Sequence, residues 1–386
     1  MQFRIFLYFF KYIFGSKTRQ KLIFLAVFGL LISSFSLTVL QGVMGGLQNG
    51  LVQRSKKVLG EAVINVDRLE DNEIKSIVEG LNHYQVPFVS ELELELMIQN
   101  EKYIYPTIVH GFDYKAYVPE FLRLRDKTHF VLGSELGRKL RGFFGSELIL
   151  TSPAHVDFVI QEIPRQSVSA ISDFYSSELP EIDSIHSWIR LSFLQNLIRK
   201  RKINKIRIYD KLNEVKEFLN SVQKSNLLST WNDEHATLVW ALNLETNVML
   251  FLFVGMSFLI GICITSGFLI FFNKVKIDLT SFWILGLSKK KVLKLIYHFG
   301  HLISFLFCLL GVISGVLFLW LIKHNNIVIM PDEFIERNLP VHFSVTQILL
   351  SFFVPYIFAL IFTHFTFNTF KRENQSFISI MKKIIS

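Results

Sequence analysis

Two cysteines in 386 residues, Cys263 and Cys308, supply no disulfide framework to hold a fold together. Both fall inside apolar runs, where each reads as a packed small hydrophobe. None lies between residues 60 and 230, so a domain there carries no disulfide even in an oxidising compartment. Phosphate-cradling chemistry is missing too. There is no GxxxxGK[ST], hence no Walker A loop, and the chain is not expected to hydrolyse ATP itself. No Gly-x-Ser-x-Gly, HExxH or paired-cysteine motif occurs, so no catalytic residue is expected. Charge is absent from residues 248–272, 295–322 and 348–367, which hold no Asp, Glu, Lys or Arg. Ion-coupled transporters usually need such groups within the membrane, and no inverted repeat of spans is visible either. His298, His301 and His364 flank these runs, but a metal site wants a further ligand and a supporting shell. Interfacial histidines are the plainer reading, and no metal is expected.

What the chain has in plenty is apolar length. It is 51% hydrophobic with a mean hydropathy of +0.38, too apolar for a soluble globular protein of this size. The stretch Thr230 to Tyr297 organises the rest. It starts amphipathic, becomes fully apolar from Val248 to Phe272 and ends in a lysine-rich elbow. Those twenty-five uncharged residues span about 37 Å as a helix, enough to cross a bilayer with some tilt. No proline interrupts Leu238 to Phe272, so one rod is expected to run from a large domain to a basic loop.

The net charge of +9 is a topology signal. Residues 1–21, 273–294 and 371–386 hold fifteen basic residues against two acidic ones, so the rest of the chain is net acidic. Short basic flanks stay on the cytoplasmic side, and a nucleic-acid partner is not expected. Met1 to Phe14 suits an interfacial helix or a plain leader into the first span. The apolar stretch Leu22–Leu40 is too long for a signal peptide and reads as an uncleaved anchor.

The expected organisation follows in chain order. Residues 1–21 form an N-terminal cytoplasmic or interfacial segment, and 22–59 a first span with a stalk weakened by Gly45, Gly46 and Gly50. Residues 60–230 form a mixed α/β domain, 231–272 a second stalk and span, and 273–294 the cytoplasmic elbow. A third span at 295–322, a short outer return at 323–347, a fourth span at 348–370 and a tail at 371–386 complete it. The fold class is thus a membrane protein of four transmembrane helices, with a large mixed α/β domain inserted between helices 1 and 2 on helical stalks, on the side opposite the basic segments. Four spans put all three basic segments on one side. Within the domain, VINV, YIYPTIVHGFD, HFVLG, SELILTS, HVDFVIQEI and NKIRIYD read as strands. DNEIKSIVEGLNH, GSELGRKLRGFFG, SFLQNLIRK and LNEVKEFLNSVQ read as helices. Leu92, Leu94 and Leu96 alternate with Glu91, Glu93 and Glu95, the pattern of a half-buried strand.

Several segments together resemble a known family. They are VLQGVMGGLQNGLVQRSKKVLGEAVINV, VPFVSELELEL with YPTIVHGFD, FVLGSELGRKLRGFFGSELILTSP, ISDFYSSELPEIDSIHSWIRLSFLQNL and, most specifically, STWNDEHATLVWALNLETNVMLF. The chain resembles the Lol-type lipoprotein-releasing permeases of bacterial ABC transporters, within the wider FtsX-like and MacB-like group. In the elbow, Asp278, Gly286 and Ser288 match the family pattern, whereas Ile277 and Trp283 stand where basic residues are usual. The tail lacks the family's usual ending.

The resemblance implies a permease subunit in the bacterial inner membrane, with both termini cytoplasmic and the large domain periplasmic. It implies a second permease copy or paralogue, a separate ABC ATPase that uses ATP and Mg, a lipoprotein substrate and a periplasmic lipoprotein carrier. Asp278, Trp283, Gly286 and Ser288 would then couple to the ATPase. Leu40, Val43, Met44 and Leu47, opposite Met249 and Phe253, would line the substrate cavity, unless they serve ordinary helix packing. Two other tasks stay open: a permease of this group that drives an efflux or cell-wall partner, and a membrane-anchored scaffold or sensor with no motor.

Overall fold

The computed structural model describes residues 21–113, 117–122, 130–157, 163–284, 288–325 and 340–372. Most of the N-terminal segment (1–20), residues 326–339 of the outer return read at 323–347, and the tail from 373 lie outside the described residues. The chain divides into two units, Met1–Gln48 with Leu242–Ser386, and Asn49–Ala241.

In chain order the first half contains α1 (Lys21–Leu59), β1 (Ala62–Asn65), α2 (Asp71–His83), β2 (Phe88–Asn100), β3 (Tyr103–Phe112), β4 (Phe130–Gly133) and α3 (Ser134–Leu140). Next come β5 (Glu147–Asp157), β6 (Ile163–Tyr175), α4 (Pro180–Asp183), β7 (His186–Arg190), α5 (Leu191–Ile198), β8 (Lys205–Ile208), α6 (Leu212–Ser221) and β9 (Leu228–Thr230). The last helices are α7 (Trp231–Glu234), α8 (Ala236–Ile284), α9 (Lys289–Asn325) and α10 (Val345–Arg372).

Four helical segments are long and apolar enough to cross a membrane: Val27–Leu59, Ala236–Ile270, Tyr297–Asn325 and Val345–Thr369. They fit a multi-pass membrane protein. Helix α8 runs unbroken through the whole apolar stretch, as the absence of proline leads one to expect. Pro355 sits inside α10, which lies in a segment where membrane helices tolerate proline.

In this first unit, close packing is built on small residues. Gly311 and Gly315 of α9 face α1, and a Cβ added at Gly311 would lie 2.5 Å from the Leu31 carbonyl oxygen and 2.8 Å from Ser34 Cβ. Small residues four apart let two backbones approach in lipid, where the hydrophobic effect does not drive helices together. The glycines of α1 do the same work. Gly46 meets the Pro340 carbonyl, 2.0 Å from where its Cβ would be, and the His342 N–H donates to Gly42 O at 3.0 Å. These glycines were expected to weaken the helix. The helix continues through them to Leu59, and two of them make room for neighbours: Gly46 for the Pro340 carbonyl and Gly45 for Gln347 of α10.

The second unit is built on a nine-stranded sheet in the order β3-β7-β4-β6-β5-β2-β8-β1-β9, in which β3 also pairs with β2. That extra pairing closes six strands into a ring, and β8, β1 and β9 continue from the long strand β2. The ring packs its Leu92, Leu96, Phe130, Leu148 and Ile171 against Leu136 of α3 and Leu194 of α5. A smaller core joins Ile64 and Ile206 of the extension to Ile77 of α2 and Val215 of α6.

Two readings of this domain need correction. HVDFVIQEI is not one strand: β5 ends at Asp157, β6 starts at Ile163, and the residues between lie outside the described set. The helix read at 133–145 stops at Leu140, where Arg141 turns left-handed at φ 50° and frees the residues after it. In the membrane unit, Cys308 is buried as expected, but Cys263 is exposed on α8. Strands β6, β7 and β9 carried no strong alternation and were not anticipated.

Candidate functional site

The residues expected to line a cavity fall on one face of each helix. At about 100° per residue, Leu40, Val43, Met44 and Leu47 share one side of α1. The side that meets α9 and Pro340, carrying Ser34, Thr38, Gly42 and Gly45, is roughly opposite. Gly29 lies on the Met44 side and comes 3.7 Å from Ile260 Cγ2 of α8, measured from its would-be Cβ. At the other end of this interval, Gln48 Nε2 donates to the Leu242 carbonyl at 3.2 Å and reaches Thr246 Oγ1 at 3.2 Å. Leu242, Thr246, Met249, Phe253 and Ile260 in turn share one side of α8. The six candidates are therefore half-buried residues on the faces that α1 and α8 turn toward each other.

The expected coupling residues divide differently. Asp278 and Trp283 belong to α8, which continues to Ile284, but their side chains lie outside the described residues. Gly286 lies outside them altogether. Ser288 is exposed just ahead of α9, and its carbonyl accepts the Lys291 N–H at 2.9 Å. The elbow read at 273–294 is thus not a loop: helix occupies it up to Ile284 and again from Lys289.

A third constellation was not anticipated. In the sheet domain, Arg207 of β8 is buried and forks onto Glu91 of β2, with Nη2 to Oε1 at 2.6 Å and Nε to both oxygens at 3.1 Å. Its Nη2 also donates to Glu93 at 3.1 Å, and Lys205 holds the other oxygen of Glu93 at 2.8 Å. Arg207 Nη1 donates to the carbonyl of Leu59, the last residue of α1. His110 of β3 places Nδ1 3.4 Å from Glu91 Oε2, and its Nε2 meets His186 Nδ1 at 2.9 Å. The two imidazoles stack with centroids 5.1 Å apart, and Trp188 stacks on His110.

The alternation of Glu91, Glu93 and Glu95 suggested a wet face. Glu91 is 0% exposed because that face is covered by Val58 and Leu59 of α1, Phe112, Val131 and Trp188. The sequence signal that could have revealed this is the matching Lys205-Ile206-Arg207-Ile208 alternation on the neighbouring strand. Glu91 stands directly opposite Lys205, and Arg207, opposite Val89, is its diagonal neighbour on the same face.

Burial by itself would raise the Glu91 carboxyl. The Arg207 charge and the His110 imidazole overcome this and hold it down at about 2. His186 is pushed well below the ordinary histidine range, by burial first and then by His110 and the Arg207 charge. Glu91, Glu93 and His110 are spaced closely enough to bracket a metal ion. Arg207 and Lys205 already neutralise these carboxylates, and a dication would have to enter beside two fixed cations. The group fits a structural ion-pair network and not a metal centre.

The same end of α1 is tied to the chain that leaves the domain. The Trp231 indole N–H donates to Ser55 Oγ at 2.9 Å, and the Trp231 N–H to Glu61 O at 2.8 Å. Strand β9 pairs with β1 through Thr230 opposite Ala62, and Tyr209 Oη donates to Val58 O at 3.3 Å. A capping box between Thr230 and Asp233 starts α7 at that point. Incoming and outgoing chain are thereby locked to one sheet edge.

No family model matches the chain, and no curated protein matches it either. Among solved structures, it is similar to the extracellular domain of the noncanonic ABC-type transporter YknZ from Gram-positive bacteria. That match covers 45% of this chain and 99% of that one, at 7% identity and a TM-score of 0.27. A likeness at this score carries no argument about mechanism.

The network makes a pH prediction with a definite sign. A histidine whose folded pKa is depressed loses stability as pH falls below its unfolded value near 6.5. A depressed carboxylate such as Glu91 loses it as pH falls from about 4.5 toward 2. The melting temperature of the full chain in detergent should therefore decline on acidification in two stages. His186→Phe should shrink the upper stage and leave the lower. A single decline confined below pH 4.5 in the unsubstituted chain would contradict this.

Proposed function

We propose that this chain is the membrane subunit of an ABC-type transporter that extracts lipoproteins from the outer leaflet of the inner membrane. ATP is hydrolysed by a separate subunit, since the chain has no phosphate-binding loop of its own. In this reading the sheet domain is the periplasmic insertion between the first two spans, and the termini are cytoplasmic. The observation that carries it is the pairing of apolar faces on α1 and α8 around Met44 and Met249, set between contacts at Gly29 and Gln48. The resemblance of Ser229 to Phe251 and the other quoted segments to lipoprotein-releasing permeases supports the cargo.

Energetics fit such a route. At ~0.8 kcal/mol per buried CH₂, three acyl chains of ~15 methylenes hold on with roughly 36 kcal/mol. Release into water is closed to such a molecule, so it needs an apolar path and an apolar receiver, a periplasmic carrier. A second permease copy or relative completes the path. Motor strokes enter at Asp278, Trp283, Gly286 and Ser288 and travel along α8. The clamp of Trp231 on Ser55 and of Arg207 on the end of α1 delivers them to the sheet.

Gentle purification of the full chain should recover an ATPase bearing a Walker A motif, and Asp278→Arg should release it without lowering the amount of membrane-inserted chain. Purification with no ATPase, together with normal growth of the Asp278→Arg strain, would favour a scaffold or sensor instead. Recovery of an efflux channel or a cell-wall hydrolase on the sheet domain would favour the other task within the same group.

A further inference from the structure

A hollow of about 730 Å³ lies in the membrane unit against α9 and α10, away from the face that α1 turns to α8. Lys291, Lys294 and His298 line the part nearest the start of α9, and all three are exposed. Further along the same stripe of α9 comes His301, with Tyr356 across from it on α10. Both ring nitrogens of His301 are buried without a hydrogen-bond partner, while the Tyr297 ring closes one side at 4.2 Å. No acid stands in the first turn of α9, and neither Lys291 nor Lys294 forms an ion pair among the described residues. Cations at the positive end of a helix repel it, so this cluster lacks its counter-charge. Beyond His301 the stripe turns apolar and stays exposed, through Leu302, Phe305 and Leu309.

We propose that this hollow binds an anionic phospholipid. The phosphate sits among Lys291, Lys294 and His298, the exposed polar side chains of the hollow, and an acyl chain lies along Leu302, Phe305 and Leu309. A basic pocket between spanning helices at a cationic membrane face is the chemistry that recognises such headgroups. The continuous apolar stripe below it distinguishes a lipid from a free phosphate, which has nothing to place there. The inference is independent of the lipoprotein reading.

Native mass spectrometry of the full chain tests it, after exposure to vesicles of phosphatidylethanolamine with a minor share of phosphatidylglycerol. Selective retention of phosphatidylglycerol is expected. Lys291→Gln with Lys294→Gln should cut that retention about 25-fold, at about five-fold per lysine, and leave phosphatidylethanolamine unchanged. His298→Phe supplies a variant that keeps both lysines, and it should lose several-fold in retention. Lys323→Gln, near the other end of α9, should retain the lipid. Equal retention of the two lipids, or selectivity unchanged in both pocket variants, overturns the proposal. So does displacement of phosphatidylglycerol by millimolar inorganic phosphate, which would assign the pocket to the free ion.

Discussion

Arg207→Met should destabilise the chain by roughly 3–5 kcal/mol, since it leaves a buried carboxylate without its partner. Glu91 is fully enclosed, and neither of its oxygens can turn to solvent when the guanidinium is gone. The same change removes the donor to Leu59 O and uncovers the inner oxygen of Glu93. Full-chain thermal or urea unfolding in detergent, followed by tryptophan fluorescence, reads the loss. Replacing both members, Glu91→Leu with Arg207→Met, should recover much of it. A buried ion pair contributes little net stability over apolar residues of like size, yet removing one half is costly. A double variant no better than Arg207→Met would mean that the cost lies in lost contacts at Leu59 and Glu93, not in the stranded charge.

Met44→Glu should trap lipoprotein in the inner membrane while the chain still inserts and assembles. Met44 lies on the α1 face turned to α8, away from the glycine face that holds α1 to α9, so the charge spares that packing. It would, however, sit on the route of an acyl chain. A charge within a spanning helix costs on the order of 2.5–3.5 kcal/mol, which predicts a fall in release of about ten-fold or more even toward the membrane edge. Met249→Glu on the partner helix should do the same, and Met44→Leu should be close to silent. Ordinary sorting in both glutamate variants would remove these residues from the path.

The spans were legible because lipid imposes one rule, an uncharged helix of about twenty residues, and four stretches obey it. The helix face that carries the proposed cavity residues follows from helical period alone. The helical period that groups Leu40, Val43, Met44 and Leu47 also decides which side of α1 can touch α8. Strand content was legible where alternation was strong, as in Tyr103–Phe112 and Lys205–Ile208. It was lost in Ile163–Tyr175, whose serine-rich sequence has no apolar face and becomes a strand because β5 and β4 pair with it. Buried charge was the largest miss. Period-two patterning shows that Glu91 and Arg207 lie on polar faces, but not that α1 and Trp188 cover those faces. Residues distant in sequence decide that. Likewise Gly46 of α1 reads as a weak point in the sequence, but the Pro340 carbonyl, nearly three hundred residues later, lies where its side chain would be.

Reconstitution measures the central claim directly. The chain and the ATPase that purifies with it would be placed in proteoliposomes loaded with a triacylated lipoprotein, with a soluble lipoprotein carrier outside. The account predicts transfer of lipoprotein to the carrier that requires ATP and is lost in Met44→Glu, with nucleotide hydrolysis still present. Hydrolysis without any transfer, or transfer indifferent to ATP, would contradict it.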